Sequence, residues 1–184
     1  MNEPIRMRTA RTVIRLLDVE DAALLRTYRA ENREHLAPWE PLRSDSHYTL
    51  DACRAAIEAG GEAARADRGY PFAILTPDAS DMIGSFTFAN VVRGVFQACH
   101  LGYGIARKYE GQGLMFEALD AAVRYGFGPL DFHRIMANHM PRNERSGRLL
   151  ARLGFEKEGY ARRYLKIDGV WEDHVLTARI RSQG

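Results

Sequence analysis

The sequence predicts a single mixed α/β domain, of the α+β kind, with seven strands in one sheet and about four flanking helices. Three observations carry that expectation. The chain has 184 residues and 20.8 kDa, with 46% hydrophobic and 27% charged residues, enough to bury roughly 70% of its unfolded surface in one core. Helical and β-type periodicities alternate in the order β-α-α-β-β-β-α-β-α-β-β, with no repeat, low-complexity tract or linker between them. The chain also ends in a hairpin signal, Asp168-Gly169 between two β-rich runs.

Each element has its own warrant. Thr12 to Leu17 is a short β-rich run. Asp18 caps the first helix, with Asp21 in the capping-box position, and Leu24, Leu25 and Tyr28 continue at helical spacing to about Asn32. Pro38 and Pro41 force an irregular segment around Trp39 and Glu40. Thr49 to Arg68 is Ala-rich and helical, with Gly60-Gly61 as a point of interruption. Tyr70 to Leu75, Met82 to Val92 and Val95 to Ala106 read as strands, the last two joined at Arg93-Gly94. Leu114 to Tyr125 is a helix with Met115, Ala118, Leu119 and Ala122 on one face, closed by Gly126, Gly128 and Pro129. His133 to Met140 is a strand, and Asn143 opens a helix that stops at Gly154. Gly159 to Ile167 and Val170 to Ile180 complete the sheet.

Composition narrows the function classes. Lys+Arg is 26 and Asp+Glu 24, a net charge of +2, too balanced to argue for a nucleic-acid binder. Only Lys108, Lys157 and Lys166 are lysines, so the basic side is almost all arginine. The two cysteines, Cys53 and Cys99, are not spaced as metal ligands or a redox pair, and no metal is expected. No apolar run is long enough to cross a membrane, and Met1 to Arg11 has no leader-like apolar stretch. A cytoplasmic enzyme or binding domain remains.

The chemistry concentrates after the fourth strand. Gly111 and Gly113 let the backbone come close to a ligand and aim several N–H groups one way, and the helix beyond them adds its dipole. This suits a pyrophosphate. It is not a Walker loop, since no Gly-Lys-Ser/Thr follows, nor a dinucleotide fingerprint, since a hairpin precedes it. Taken alone, the segment reads first as a tight strand-to-helix turn.

Lys108-Tyr109-Glu110-Gly111-Gln112-Gly113-Leu114 resembles the acetyl-CoA pyrophosphate loop of the GNAT N-acetyltransferases, with Lys108 where that pattern has Gln or Arg. The element order is similar over nearly the whole chain. Asn143 to Ser146 and Leu153 to Gly159 resemble the second CoA-side motif of the branch that acetylates protein N-termini. Pro38-Trp39-Glu40-Pro41, Asn90 to Gly94, His133 to Asn138 and Asp173 to Ala178 resemble, within that branch, enzymes of the N-terminal alanine of a small-subunit ribosomal protein.

The resemblance implies acetyl-CoA as cosubstrate, held by Gly104, Ile105, Ala106, Lys108, Gly111, Gln112, Gly113, Leu114 and Asn143. It implies a sheet splayed between its fourth and fifth strands, where pantetheine enters and bonds backbone groups at Gly104, Ile105 and Ala106 as an added strand would. His100 takes the place of a strand carboxylate as general base, with Glu40 as the other candidate, and Ser146 stands as general acid. Leu150 occupies the slot where many relatives carry a tyrosine acid. Structural alternatives stand beside these: His100 as a packed strand histidine, Asn143 as a helix N-cap, Ser146 as a first-turn surface residue.

Trp39, Glu40, Tyr103 and Asn138 are the expected substrate contacts. Arginines crowd the C-terminal third, expected on the CoA side, while Glu31, Glu34 and Glu40 are expected near the amine. The implied partner is a ribosomal protein N-terminus on the assembling small subunit, with ribosomal RNA contact, a small-molecule amine acceptor and a non-catalytic assembly role as open alternatives. Oligomeric state is open between monomer and homodimer.

Overall fold

The computed structural model describes residues 5–182; residues 1–4 and 183–184, which include part of the stretch read as lacking a leader, lie outside the described residues. In chain order the first half comprises β1 (Arg6–Arg8), β2 (Val13–Leu16), α1 (Ala22–Glu31), α2 (Arg33–Leu36), α3 (Leu50–Arg65), β3 (Tyr70–Leu75) and β4 (Met82–Val92). The second half comprises β5 (Ala98–Ile105), α4 (Leu114–Phe127), β6 (Arg134–Met136), α5 (Glu144–Arg152), β7 (Glu156–Ile167) and β8 (Val170–Ile180). The mixed α/β class is as expected, but the sheet has eight strands, in the order β1-β2-β3-β4-β5-β6-β8-β7. The extra strand, β1, is three residues long, too short to carry a periodicity. The additional helix, α2, is a single turn that comes directly after α1 and Asn32.

Two apolar layers cover the sheet. On one face α4 lays Met115, Ala118, Leu119, Ala122 and Val123 against Phe72, Phe86, Phe88 and Ile135. Those helix positions recur at i, i+3, i+4, i+7 and i+8, one continuous stripe. On the other face α1 and α3 place Leu25, Tyr28, Cys53 and Ile57 against Val13, Ala73 and Leu75. A large apolar side chain fully buried in this way contributes about 1.5–3 kcal/mol. β3 is buried on both faces because its alternate residues serve both layers. α3 runs unbroken through Gly60-Gly61; a Cβ on Gly60 would lie 2.7 Å from Pro71 Cγ, so the glycine there permits close packing on the sheet.

Three boundaries differ from the sequence reading. Gly94 (φ +71) and Gln97 (φ +45) turn the chain between β4 and β5, so Val95 and Phe96 are exposed in a loop and β5 starts at Ala98. β7 begins earlier than expected, at Glu156, and carries two register shifts against β8. β6 is short because its neighbours part company. Only Ala98–His100 pair with Arg134–Met136, and this is the one parallel pairing among the described strands. Beyond it the chain runs along β8 instead: Ala137 N–H donates to Thr177 O (2.9 Å) and His139 N–H to Val175 O (3.1 Å). Leu101 to Ile105 of β5 therefore face a gap, and that gap organises the site.

Candidate active site

The floor of the gap ends in the glycine loop. After β5 the chain makes a 3₁₀ turn, Arg107–Tyr109, and reaches Gly111 and Gly113, both at φ +74 in the left-handed region. Gly113 is the N-cap of α4, and Leu114, its first residue, is buried. The first-turn N–H groups of α4 are left to face an anion, with the helix dipole behind them. Gln112 folds back, its Nε2 donating to Lys108 O (3.0 Å). The side chain of Lys108 turns away from the loop. Its Nζ sits 2.7 Å from Asp81 and 3.5 Å from Glu31, so what the loop offers a cofactor at this position is backbone rather than side chain. A cation that touches the loop backbone is Arg11, whose Nη1 donates to Gln112 O (3.0 Å) and whose Nε donates to Glu117 (2.7 Å).

Strand alternation sorts the backbone groups of β5. Ala106 N–H donates to Ile83 O (2.9 Å), and the β4–β5 register is unbroken from Ile105 back to His100. In an antiparallel ladder, alternate residues bond the same neighbour. Gly104 and Ala106 therefore spend their backbone groups on β4, while Leu101, Tyr103 and Ile105 direct theirs to the gap. The expected free groups at Gly104, Ile105 and Ala106 are corrected to Ile105 and Tyr103. The Ile105 carbonyl has His35 Nε2 3.2 Å away, which leaves its N–H open. An extended, amide-bearing cosubstrate fits this edge, and its pyrophosphate fits the loop at the edge's end.

On the α1–α3 side of the sheet lies a cavity of about 630 Å³. Its floor is the cross-strand pairs Ser85–Gly104 and Thr87–Gly102, and Tyr28 and Glu40 stand over it. Trp39 and Glu40, the expected substrate contacts, are among the residues that line it. Arg142 stacks its guanidinium 5.2 Å from the Trp39 ring and bonds Pro38 O (3.3 Å) and Glu172 (3.0 Å). The β7–β8 turn hooks on at the same corner, with Asp168 N–H donating to Glu40 O (2.9 Å). Burial pushes the Glu40 carboxyl above the usual glutamate value, with Arg43 and Arg29 pulling the other way. Burial, with Arg29 and Arg43, pushes His47 down to about 4, so it is neutral at pH 7. The expected segregation of charge is not what folds: Arg29, Arg33 and Arg43 line this cavity, and Arg145 pairs with Glu110 (2.9 Å).

The remaining expected residues divide. Ser146 and Tyr103 meet across the gap, their hydroxyls 2.6 Å apart. Burial pushes the Tyr103 phenol up to about 12, partly offset by that bond. Asn143 acts as N-cap of α5, its Oδ1 accepting from Ser146 N–H (3.2 Å), which fixes where Ser146 sits. His100 pairs with Ala89 on the cavity side of the sheet, but four residues from Gly104, about 13 Å along the strand. It does not line the cavity, its Nδ1 is buried without a partner, and burial lowers its pKa. Asn138, expected as a substrate contact, is engaged within the sheet: its Oδ1 accepts from Thr177 N–H (3.2 Å) and its Nδ2 donates to Tyr164 (3.4 Å), so it ties the segment after β6 to β8 and β7.

Sequence reasoning missed Arg11, Asn32 and Tyr28. Asn32 is buried and ties α1 to the loop, its Oδ1 accepting from Arg107 N–H (2.9 Å). A single Asn at a helix end reads as a cap, and Tyr28 at helical spacing reads as core. Neither has a pattern that announces a site. Among the described residues no cluster of potential metal ligands exists.

A strand edge opened by a splay, a glycine loop at a helix N-terminus and a cavity across the sheet define an acyl-CoA-dependent transferase. Residues 11–156 match the family described as acetyltransferase (GNAT) domain, and the chain belongs to that family. It is an acetyltransferase. Among its relatives, the [ribosomal protein uS5]-alanine N-acetyltransferase of Escherichia coli (strain K12) is 53% identical over 174 residues, 95% of this chain and 90% of that protein. The crystal structure of ribosomal-protein-S5-alanine acetyltransferase from Vibrio fischeri superposes with a TM-score of 0.92 at 36% identity, covering 97% of this chain and 98% of that one. Mycobacterium smegmatis RimJ, in complex with CoA-disulfide, superposes at 0.87 with 31% identity, covering 92% and 81%.

Proposed function

We propose that the chain transfers the acetyl group of acetyl-CoA to the N-terminal α-amine, alanine first, of a ribosomal protein of the small subunit. Transfer is direct, in a ternary complex. The observation that carries this reading is the 53% identity across 95% of the chain to an enzyme named for that reaction. The cavity supports it, since it opens opposite the splay and reaches the same strand segment, Gly102 to Gly104, from the other face.

Acetyl-CoA, when bound, supplies a thioester whose carbonyl carbon is the electrophile. The Gly111–Gly113 loop and the α4 N-terminus hold its pyrophosphate. The free N–H of Ile105 takes the thioester oxygen as charge develops there. Glu40, inside the cavity, takes the proton from the attacking amine directly or through a water; His100, about 13 Å along the strand, is too distant for that step without a water chain. Ser146, held by Asn143 and Tyr103, delivers a proton to the departing thiolate.

The acceptor class follows from basicity. An α-amine with pKa about 7.8 is roughly 14% neutral at pH 7, whereas a lysine at about 10.4 is neutral only about 0.04% of the time. The difference, about 2.6 units, corresponds to roughly 3.5 kcal/mol. An α-amine therefore makes the smaller demand on a general base, and a lysine the larger. The test is thiol release with peptides beginning Ala, Ser and acetyl-Ala and with a blocked peptide bearing an internal lysine. Turnover of the free N-termini alone is expected. Turnover of the lysine peptide, or of polyamines with none on the Ala peptide, overturns the reading.

A further inference from the structure

Among the described residues, two buried side-chain polar atoms have no hydrogen-bond partner: Nδ1 of His100 and the hydroxyl of Tyr28. The second belongs to a residue that lines the cavity. Tyr28 is only 7% exposed, on the sheet-facing side of α1. Ser85 lies beside its hydroxyl without meeting hydrogen-bond geometry, and a Cβ added to Gly104 would come 3.7 Å from that oxygen. A phenylalanine would fill the same packing space without stranding a hydroxyl away from water. Burying an unpaired hydroxyl is unfavourable. The oxygen makes no hydrogen bond within the folded chain, and it stands near the floor where β4 and β5 pair Ser85 with Gly104.

Burial, reinforced by the charge of Glu40, holds the Tyr28 phenol well above its usual value, so it stays protonated and is no base. A protonated phenol accepts one hydrogen bond and donates one. A neutral primary amine presents two N–H groups and one lone pair. Two acceptors over the cavity floor, Tyr28 and Glu40, leave the lone pair as the only group free to face the gap.

Resting on the function proposed above, we propose that Tyr28 orients the attacking amine: its oxygen accepts one N–H while Glu40 takes the other, which turns the lone pair across Gly104 toward the thioester. The residue touches the substrate and not the cosubstrate, so its effect falls on turnover of the peptide.

The test is Tyr28→Phe, which keeps the ring. With an Ala-starting peptide, kcat/KM is expected to fall tenfold or more, mostly in kcat, while the Kd for CoA measured by calorimetry stays within twofold. A second readout separates orientation from packing. A peptide beginning with N-methylalanine lacks one N–H, so wild type discriminates against it, and Tyr28→Phe is expected to narrow that ratio fivefold or more. Gly104→Ala, which puts a methyl 3.7 Å from the hydroxyl, is expected to lower peptide turnover as well and gives an independent arm. Peptide turnover by Tyr28→Phe within twofold of wild type, or an unchanged N-methyl ratio, overturns this inference alone. A wild-type chain inactive on the Ala peptide overturns the proposed function and this inference with it.

Discussion

Gly111→Ala isolates the backbone contribution of the anion loop. The residue sits at φ +74, and an added Cβ would meet nothing within 4 Å, so the substitution creates no clash. What it adds is the cost of holding an L-residue in the left-handed region, about 1–2 kcal/mol. If the free loop keeps its conformation, that cost appears as lost stability. If the free loop relaxes, it appears as a CoA affinity weakened about 5–30-fold, since 1.4 kcal/mol is tenfold. Thermal unfolding and calorimetric titration with CoA, run on the same samples, capture both shares. Asn at this position tolerates the left-handed region better than Ala, and Val worse, so the losses are expected in the order Asn, Ala, Val. Ala and Val variants that match wild type in both unfolding and CoA affinity would refute the reasoning.

Other substitutions probe separate links. Lys108→Ala is expected to leave CoA affinity within twofold, because the ammonium is engaged by Asp81 and Glu31 rather than by the loop; a loss of tenfold by titration contradicts that. Asn143→Ala removes the α5 cap, about 1 kcal/mol of stability, and frees Ser146, so both the melting point and kcat are expected to fall together. The folded pKa of Glu40 is raised, so the folded chain binds that proton to higher pH than the unfolded one, and its contribution becomes unfavourable as pH rises through the glutamate range. Glu40→Gln is therefore expected to gain stability relative to wild type more at pH 7 than at pH 4 in melting curves, while kcat/KM falls and keeps only the acidic limb set by the substrate amine. Asp21, bonded bidentately by Arg15 (2.6 and 2.8 Å), has its pKa lowered and contributes stability present above the usual aspartate value and lost as pH falls through its depressed one. Asp21→Asn is expected to flatten the acid side of the stability profile, which urea titrations at several pH values measure.

Local signals announced most of the fold, and they stopped where the structure depends on distant partners. β3, α4 and the Asp168-Gly169 hairpin carried apolar periodicity or turn chemistry in their own residues, and Asp168 (φ +44) and Gly169 (φ +80) form the left-handed pair that a two-residue hairpin turn needs. β1 has no apolar pattern and exists because Val13 to Arg15 offer it an edge. In the site, the loop was legible because Gly111 and Gly113 act through backbone. The direction in which Gly104 and Ala106 spend their N–H groups was not, because it is set by register with β4. The engagement of Lys108 with Asp81, 27 positions earlier, and of Asn138 with Thr177 arises only once the sheet has formed. The Tyr28 hydroxyl was invisible for the same reason: its lack of a partner is a property of the packed cavity.

The central claim is that this acetyltransferase modifies a protein N-terminus. The most direct measurement incubates the purified chain with acetyl-CoA and the intact small-subunit protein uS5 of its own source, with mass spectrometry to locate the acetyl group. The account predicts acetyl on the N-terminal fragment alone, and none when that terminus is blocked beforehand. Acetyl on internal lysines, or no incorporation while a small amine accepts the group, would contradict it.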